Sequence, residues 1–205
     1  PTLDRASSEL RVEEKVLLVR RVAEAVHAAH RLGLIHRDLK PSNVLVEKTE
    51  EGWHPFVTDF GLAKEVAAPS LSVSGSITGT PHYMAPEQVR GEAHAVDRRT
   101  DVYGLGATLF ELLCGRPPFE GDSAVDVMVK VLADEPPPPR SQRPSIPRDL
   151  DTIVLRCLEK DPDRRYDSAR ALAEDLGRFL DGSPIEARRA GAGYRLGKIV
   201  RRNRL

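Results

Sequence analysis

Eight consecutive residues, His36-Arg37-Asp38-Leu39-Lys40-Pro41-Ser42-Asn43, place a carboxylate, an ammonium and a side-chain amide between positions 38 and 43. That set suits transfer of a phosphoryl group from a nucleotide to a hydroxyl. Asp38 can accept the proton of the attacking hydroxyl, Lys40 can neutralise charge on the phosphoryl group in flight, and Asn43 can hold a Mg²⁺ ion through its side-chain oxygen. His, Arg, Asp and Lys also gather on ordinary solvated loops, so the octapeptide alone leaves a polar surface turn open as a reading.

Two tripeptides follow in order, Asp59-Phe60-Gly61 and Ala85-Pro86-Glu87. The three segments match H-R-D-x-x-x-x-N, D-F-G and A-P-E. On them, the chain resembles the C-terminal lobe of eukaryotic-like (Hanks-type) bacterial Ser/Thr protein kinases, over residues 1–182. The resemblance implies an α+β fold that is mainly α-helical, with a few short β-strands around the catalytic and metal-binding loops. It implies ATP and Mg²⁺ as cofactors and Ser/Thr hydroxyls of proteins as acceptors. Small-molecule phosphotransferases that share the fold usually lack the Lys40 position and the Ala-Pro-Glu segment, both present here. Residues 1–35 hold no G-x-G-x-x-G phosphate cover and no V-A-I-K lysine. The expectation is therefore a chain starting just past the hinge between lobes, with the N-terminal lobe absent. A missing N-lobe or a dimer partner would complete the ATP site, and the chain alone would be weakly active or inactive. The alternative is a non-catalytic truncated lobe acting as a binding module or gene remnant.

The resemblance also distributes roles. Asn43 and Asp59 hold Mg²⁺, Leu45 forms the aliphatic floor beneath adenine, and Phe60 stacks on His36 in the column of side chains linking the lobes. Thr80 hydrogen-bonds Asp38 and Lys40 and positions the substrate. Arg37 marks the kinases switched by phosphate on the activation loop, where Ser72 and Ser74 are the candidates, with Ser70, Ser76 and Thr78 behind them. A phosphate there carries about two negative charges and takes bidentate hydrogen bonds from a guanidinium. Glu87, as a buried carboxylate, needs a cation, and the family's partner falls on Arg165. Asp101 resembles the Asp that accepts backbone N–H bonds from the catalytic loop.

These groups need elements to hold them. Val12, Val16, Val19, Ala23, Val26 and His30 recur at steps of three and four, predicting a helix that delivers the catalytic loop and ends at Gly33. Val44–Val46 and His54–Thr58 read as two short strands, placing Asp38, Asn43 and Asp59 at adjoining strand ends. Between Gly61 and Pro86 the composition turns to Ser, Gly, Ala and Pro, an exposed loop. Val102–Cys114 is apolar nearly all round, which predicts a helix through the middle of the domain, stopped by Gly115 and Pro117-Pro118. Val125, Met128 and Leu132 mark a shorter helix. Pro136–Pro139 excludes helix and central strand. Leu150, Ile153, Val154, Cys157 and Leu158 mark the next helix, and Ala169, Leu172, Leu176 and Phe179 the last, about six in all.

Composition narrows the class. The chain has 205 residues, 40% hydrophobic and 30% charged, with 31 Lys plus Arg against 31 Asp plus Glu, so no global field argues for nucleic acid. Residues 183–205 form a basic C-terminal tail, in which Arg188, Arg189, Arg195, Lys198, Arg201, Arg202 and Arg204 face only Glu186. The tail reads either as a solvated terminus or as a juxtamembrane segment, because Lys/Arg flanks stay on the cytoplasmic side. Cys114 and Cys157 sit in apolar helical patterns, which fits a reducing cytoplasm rather than a disulfide framework. No signal peptide or long apolar run is present. The expected location is cytoplasmic, on the membrane's cytoplasmic face if the protein continues into a transmembrane helix.

Overall fold

The computed structural model describes residues 1–50, 52–60 and 81–188. Among them run helices α1 (Leu3–Ala6) and α2 (Val12–His30), strands β1 (Val44–Thr49) and β2 (Gly52–Val57), and helices α3 (Pro86–Val89), α4 (Arg98–Cys114), α5 (Ala124–Ala133), α6 (Pro139–Gln142), α7 (Arg148–Cys157) and α8 (Ala169–Leu180). α1, α3 and α6 are single turns of four residues, so the long helices are α2, α4, α5, α7 and α8.

α4 is the axis of the body. The Asp97 carboxylate accepts from the Arg99 N–H at 2.7 Å and caps its first turn, while Gly115 takes a left-handed conformation (φ 82°) past its end. Its residues from Thr100 to Phe110 are all buried, which is why no amphipathic face shows in the sequence. α2 packs against α4 and α8, and α4 against α7; at the α4–α7 crossing, Gly106 has no side chain to hold off Cys157. α2 buries Val16, Val19, Ala23 and Val26, and also Leu18, Val22 and Lys15. Lys15 stays buried because its ammonium donates to the Leu112 carbonyl at 2.7 Å.

β1 and β2 form an antiparallel hairpin in which Leu45 lies opposite Phe56 and Val46 opposite Pro55. On its other side β1 meets the start of the chain, with the Val46 N–H donating to the Pro1 carbonyl at 2.8 Å.

Two expectations change. The spacing in α5 marks Val125, Met128 and Leu132 as its inner face, yet Val127 and Val131 are the buried residues and Val125 is 55% exposed. Apart from Asp126 and Lys130 the helix is apolar round its circumference, so period alone does not choose which part of that broad face is buried. Pro136–Pro139 is also not wholly non-helical. Pro139 is the first residue of α6, where a missing N–H costs nothing and a fixed φ helps. At the other end the packed body passes Gly182. Ile185 is buried in the core, and the Glu186 and Ala187 N–H groups donate to the buried Asp175 carboxylate at 2.6 and 2.9 Å. No helix among the described residues is long and apolar enough to cross a membrane.

Candidate active site

α2 ends at His30, and Gly33 (φ 78°) turns the chain toward the loop of residues 36–43. From the loop's far side, the first turn of α4 presents Asp101, which is buried. Its Oδ2 accepts from the His36 N–H and its Oδ1 from the Arg37 N–H, each at 2.8 Å, while His30 Nε2 lies 2.7 Å from Oδ2. One buried carboxylate therefore fixes two successive amides of the loop. It helps to hold Arg37 at φ 66°, a left-handed conformation unfavourable for any residue with a Cβ.

Beyond Arg37 the polar groups converge. Asp38 Oδ2 receives the Lys40 ammonium at 2.9 Å and the Asn43 Nδ2 amide at 3.2 Å, and the same Nδ2 donates to the Asp38 carbonyl at 2.9 Å. With its amide nitrogen engaged on Asp38, Asn43 keeps its side-chain oxygen as the atom to offer a cation. The Asn43 carbonyl accepts from the Thr58 N–H at 3.0 Å and from the Thr58 hydroxyl at 3.1 Å, closing the base of the hairpin. That brings Asp59, the next residue, to the same edge. It also sits at positive φ (59°), with one carboxylate oxygen 3.2 Å from the Thr58 hydroxyl. An amide oxygen and a half-engaged carboxylate are the hard donors that Mg²⁺ takes.

His36 and Phe60 meet edge to face, with ring centroids 4.8 Å apart, and His36 Nε2 bonds the Thr58 carbonyl at 2.8 Å. Leu45 is 43% exposed and its partner Phe56 48%, an apolar pair on the open face of the hairpin. Glu87 and Arg165 form a bidentate pair, both contacts 2.8 Å, almost wholly out of solvent. The Thr100 hydroxyl adds a third bond to Glu87 at 2.8 Å. Burial pushes the Glu87 carboxyl up, but hydrogen bonds and charge from Arg165, with the Thr100 hydroxyl, outweigh it and leave the group below the ordinary carboxylate range. The remaining Arg165 N–H groups reach the carbonyls of Glu159, Lys160 and Arg99.

Thr80, Ser72, Ser74 and the other activation-loop hydroxyls, with Gly61 and residues 189–205 of the tail, lie outside the described residues. Three groups at the site gave no signal in the sequence: Thr58, His30 as a polar partner of Asp101, and Gln88. Gln88 Oε1 accepts from the Ala85 N–H at 3.0 Å, and its Nε2 donates to the Arg37 carbonyl at 2.7 Å. The only cue for it is local, an amide three residues into a helix start.

A family model described as protein kinase domain matches residues 3–176. The serine/threonine-protein kinase PknB of Mycobacterium leprae is 39% identical over 176 residues, covering 85% of this chain and 28% of that protein. The serine/threonine-protein kinase PkaA of Streptomyces coelicolor is 42% identical over 187 residues, covering 90% of this chain and 33% of that protein. The chain thus spans about a third or less of these curated relatives. Among solved structures, the kinase domain of Mycobacterium tuberculosis PknI matches with a TM-score of 0.63 and 28% identity, over 86% of this chain and 61% of that one.

Proposed function

This chain belongs to the protein kinase family, in its bacterial Hanks-type Ser/Thr form, and from that premise we propose that its described residues are the C-terminal lobe of the catalytic domain, transferring the γ-phosphoryl group of ATP to Ser/Thr hydroxyls of proteins. The observation that carries this reading is the Asp38 carboxylate, whose Oδ2 is held by Lys40 and Asn43. That leaves Oδ1 for the acceptor hydroxyl. As the acceptor oxygen bonds to phosphorus and the bond to the ADP oxygen breaks, the hydroxyl proton passes to Asp38. Lys40, half-buried at the rim, is placed to follow the charge from Asp38 onto the transferring group. Asn43 and Asp59 would hold Mg²⁺, whose role is to neutralise phosphate charge. Leu45 and Phe56 would lie under the adenine. Thr80 steadies the acceptor side, and a phosphate on Ser72 or Ser74 pairs with Arg37 and orders the activation loop.

The rest of the nucleotide site comes from a nucleotide-binding lobe, in the same gene product or in a partner chain. Without it, transfer is slow, because positioning of the triphosphate is most of this catalysis. We further infer a cytoplasmic location, on the membrane's inner face if a spanning helix follows, a reading that the basic composition of residues 183–205 supports. The test is radiolabel transfer from ATP to a Ser/Thr-containing protein by the full-length gene product. Asp38→Asn should lower kcat by about 10²–10⁴-fold. Full activity in that variant would sink the assignment of the base, and Asp38-dependent transfer by the isolated 205 residues would remove the need for a second lobe.

A further inference from the structure

The peptide unit joining Arg37 to Asp38 is held at both ends. Arg37 lies at φ 66°, a conformation that persists only where the surroundings over-determine it. Asp101 fixes the amide before it, through the His36 and Arg37 N–H groups. The Arg37–Asp38 unit itself has two partners. Its N–H, that of Asp38, lies 3.3 Å from His36 Nδ1, and its carbonyl accepts from Gln88 Nε2 at 2.7 Å. The carbonyl bond is the shorter, and it comes from a residue distant in sequence, on α3.

The Gln88 side chain has a defined orientation. Its oxygen takes the Ala85 N–H and its nitrogen gives to the Arg37 carbonyl. Turning the amide over would set N–H against N–H and oxygen against oxygen, so only one arrangement satisfies both backbone groups. Because a peptide unit is planar, fixing its carbonyl direction fixes the direction in which the chain enters the Asp38 Cα, and with it the Asp38 carboxylate. We propose that Gln88 is a positioning residue for Asp38, setting the plane of the Arg37–Asp38 peptide and tying the Ala-Pro-Glu segment to the catalytic base. The proposal rests on the reading of Asp38 as that base.

Two variants of the full-length gene product separate this role from a merely structural one. Gln88→Glu keeps an acceptor for the Ala85 N–H but sets a carboxylate oxygen against the Arg37 carbonyl; Gln88→Met removes both bonds. Near pH 8, kcat for peptide phosphorylation should fall about tenfold to a hundredfold in Gln88→Glu, the scale of a small misplacement of a catalytic group, with KM for ATP and peptide unchanged. Once protonated, the introduced carboxyl can donate to the Arg37 carbonyl. The ratio of Gln88→Glu to wild-type kcat should therefore rise on going from about pH 8 to about pH 6, as the carboxyl facing a carbonyl takes up its proton, while the Gln88→Met ratio stays low and flat. Wild-type kcat in both variants, with Asp38→Asn inactive, overturns the role of Gln88 alone. Equal, pH-independent losses that follow the melting temperature overturn it in favour of a structural role. Wild-type kcat in Asp38→Asn overturns both this proposal and the base on which it rests.

Discussion

The Glu87–Arg165 and Asp38–Lys40 pairs have nearly the same contact distance, 2.8 and 2.9 Å, in opposite surroundings. The first is 2% and 0% exposed, and every Arg165 nitrogen and both Glu87 oxygens have protein partners. The second is 33% and 18% exposed, with one Asp38 oxygen outside the network among the described residues. A saturated, dry pair fixes geometry and has nothing left to exchange. A pair open to water can change partners, which the proposed phosphoryl transfer would require of it. The fold thus keeps its rigidity under the site and its unfinished hydrogen bonding at the rim.

The strongest test of that contrast removes one half of each pair. Arg165→Ala leaves a buried carboxylate uncompensated and should cost about 3–5 kcal/mol, lowering the melting temperature by about 10 °C. Lys40→Ala should cost less than about 1 kcal/mol while lowering transfer. Calorimetric melts of both variants decide it, and equal losses would abolish the distinction.

A second test uses pH. Glu87 is held below its ordinary value of 4.5 in the folded state. The unfolded chain therefore binds a proton first as pH falls, and acid favours unfolding. The stability due to this group is complete above its ordinary value and is lost as pH falls from there through the lowered folded value. Glu87→Gln should be less stable near neutrality and show a flatter acid limb. Thermal melts from about pH 6 to about pH 3 measure it, and parallel acid limbs in wild type and Glu87→Gln would contradict the assigned direction.

The same contrast explains what the sequence disclosed. Asp38, Asn43, Asp59 and Glu87 stood out because their chemistry is written in contiguous words, and α2 and α8 because one face of each is buried. Gln88 did not, since a single amide carries no periodic signal and its target, Arg37, is distant in the chain. The inner face of α5 was illegible because Val125 and Val129 are as apolar as the buried Val127 and Val131. Lys15 belongs to solvent by residue type, and only the Leu112 carbonyl above it explains its burial. The resemblance reached two of the long-range contacts beneath the rim, Glu87–Arg165 and Asp101 on the loop amides; those of Gln88 and Lys15 lie in no motif and show only in the fold.

The smallest expected effect concerns the backbone at that rim. Asp59 is exposed, yet it sits at φ 59°, a conformation that glycine takes freely, aspartate tolerates through local hydrogen bonds, and alanine resists. Its own carboxylate supplies such a bond, with the Thr58 hydroxyl 3.2 Å away. Asp59→Ala and Asp59→Gly both lose this bond and the proposed metal ligand, so both should lose transfer alike, and the difference between them isolates the φ angle. Gly gives up more freedom on folding, which favours Ala, but Ala at positive φ suffers more than that gain. Asp59→Gly should therefore be the more stable by about 1 kcal/mol, a gap of about 2–4 °C in melting temperature. If Asp59→Ala melts at or above Asp59→Gly, the left-handed turn relaxes when the carboxylate goes. The rim would then owe its shape to side-chain bonding at Asp59, whereas a surviving gap means that the Asn43–Thr58 closure beneath it imposes the turn whatever side chain stands there.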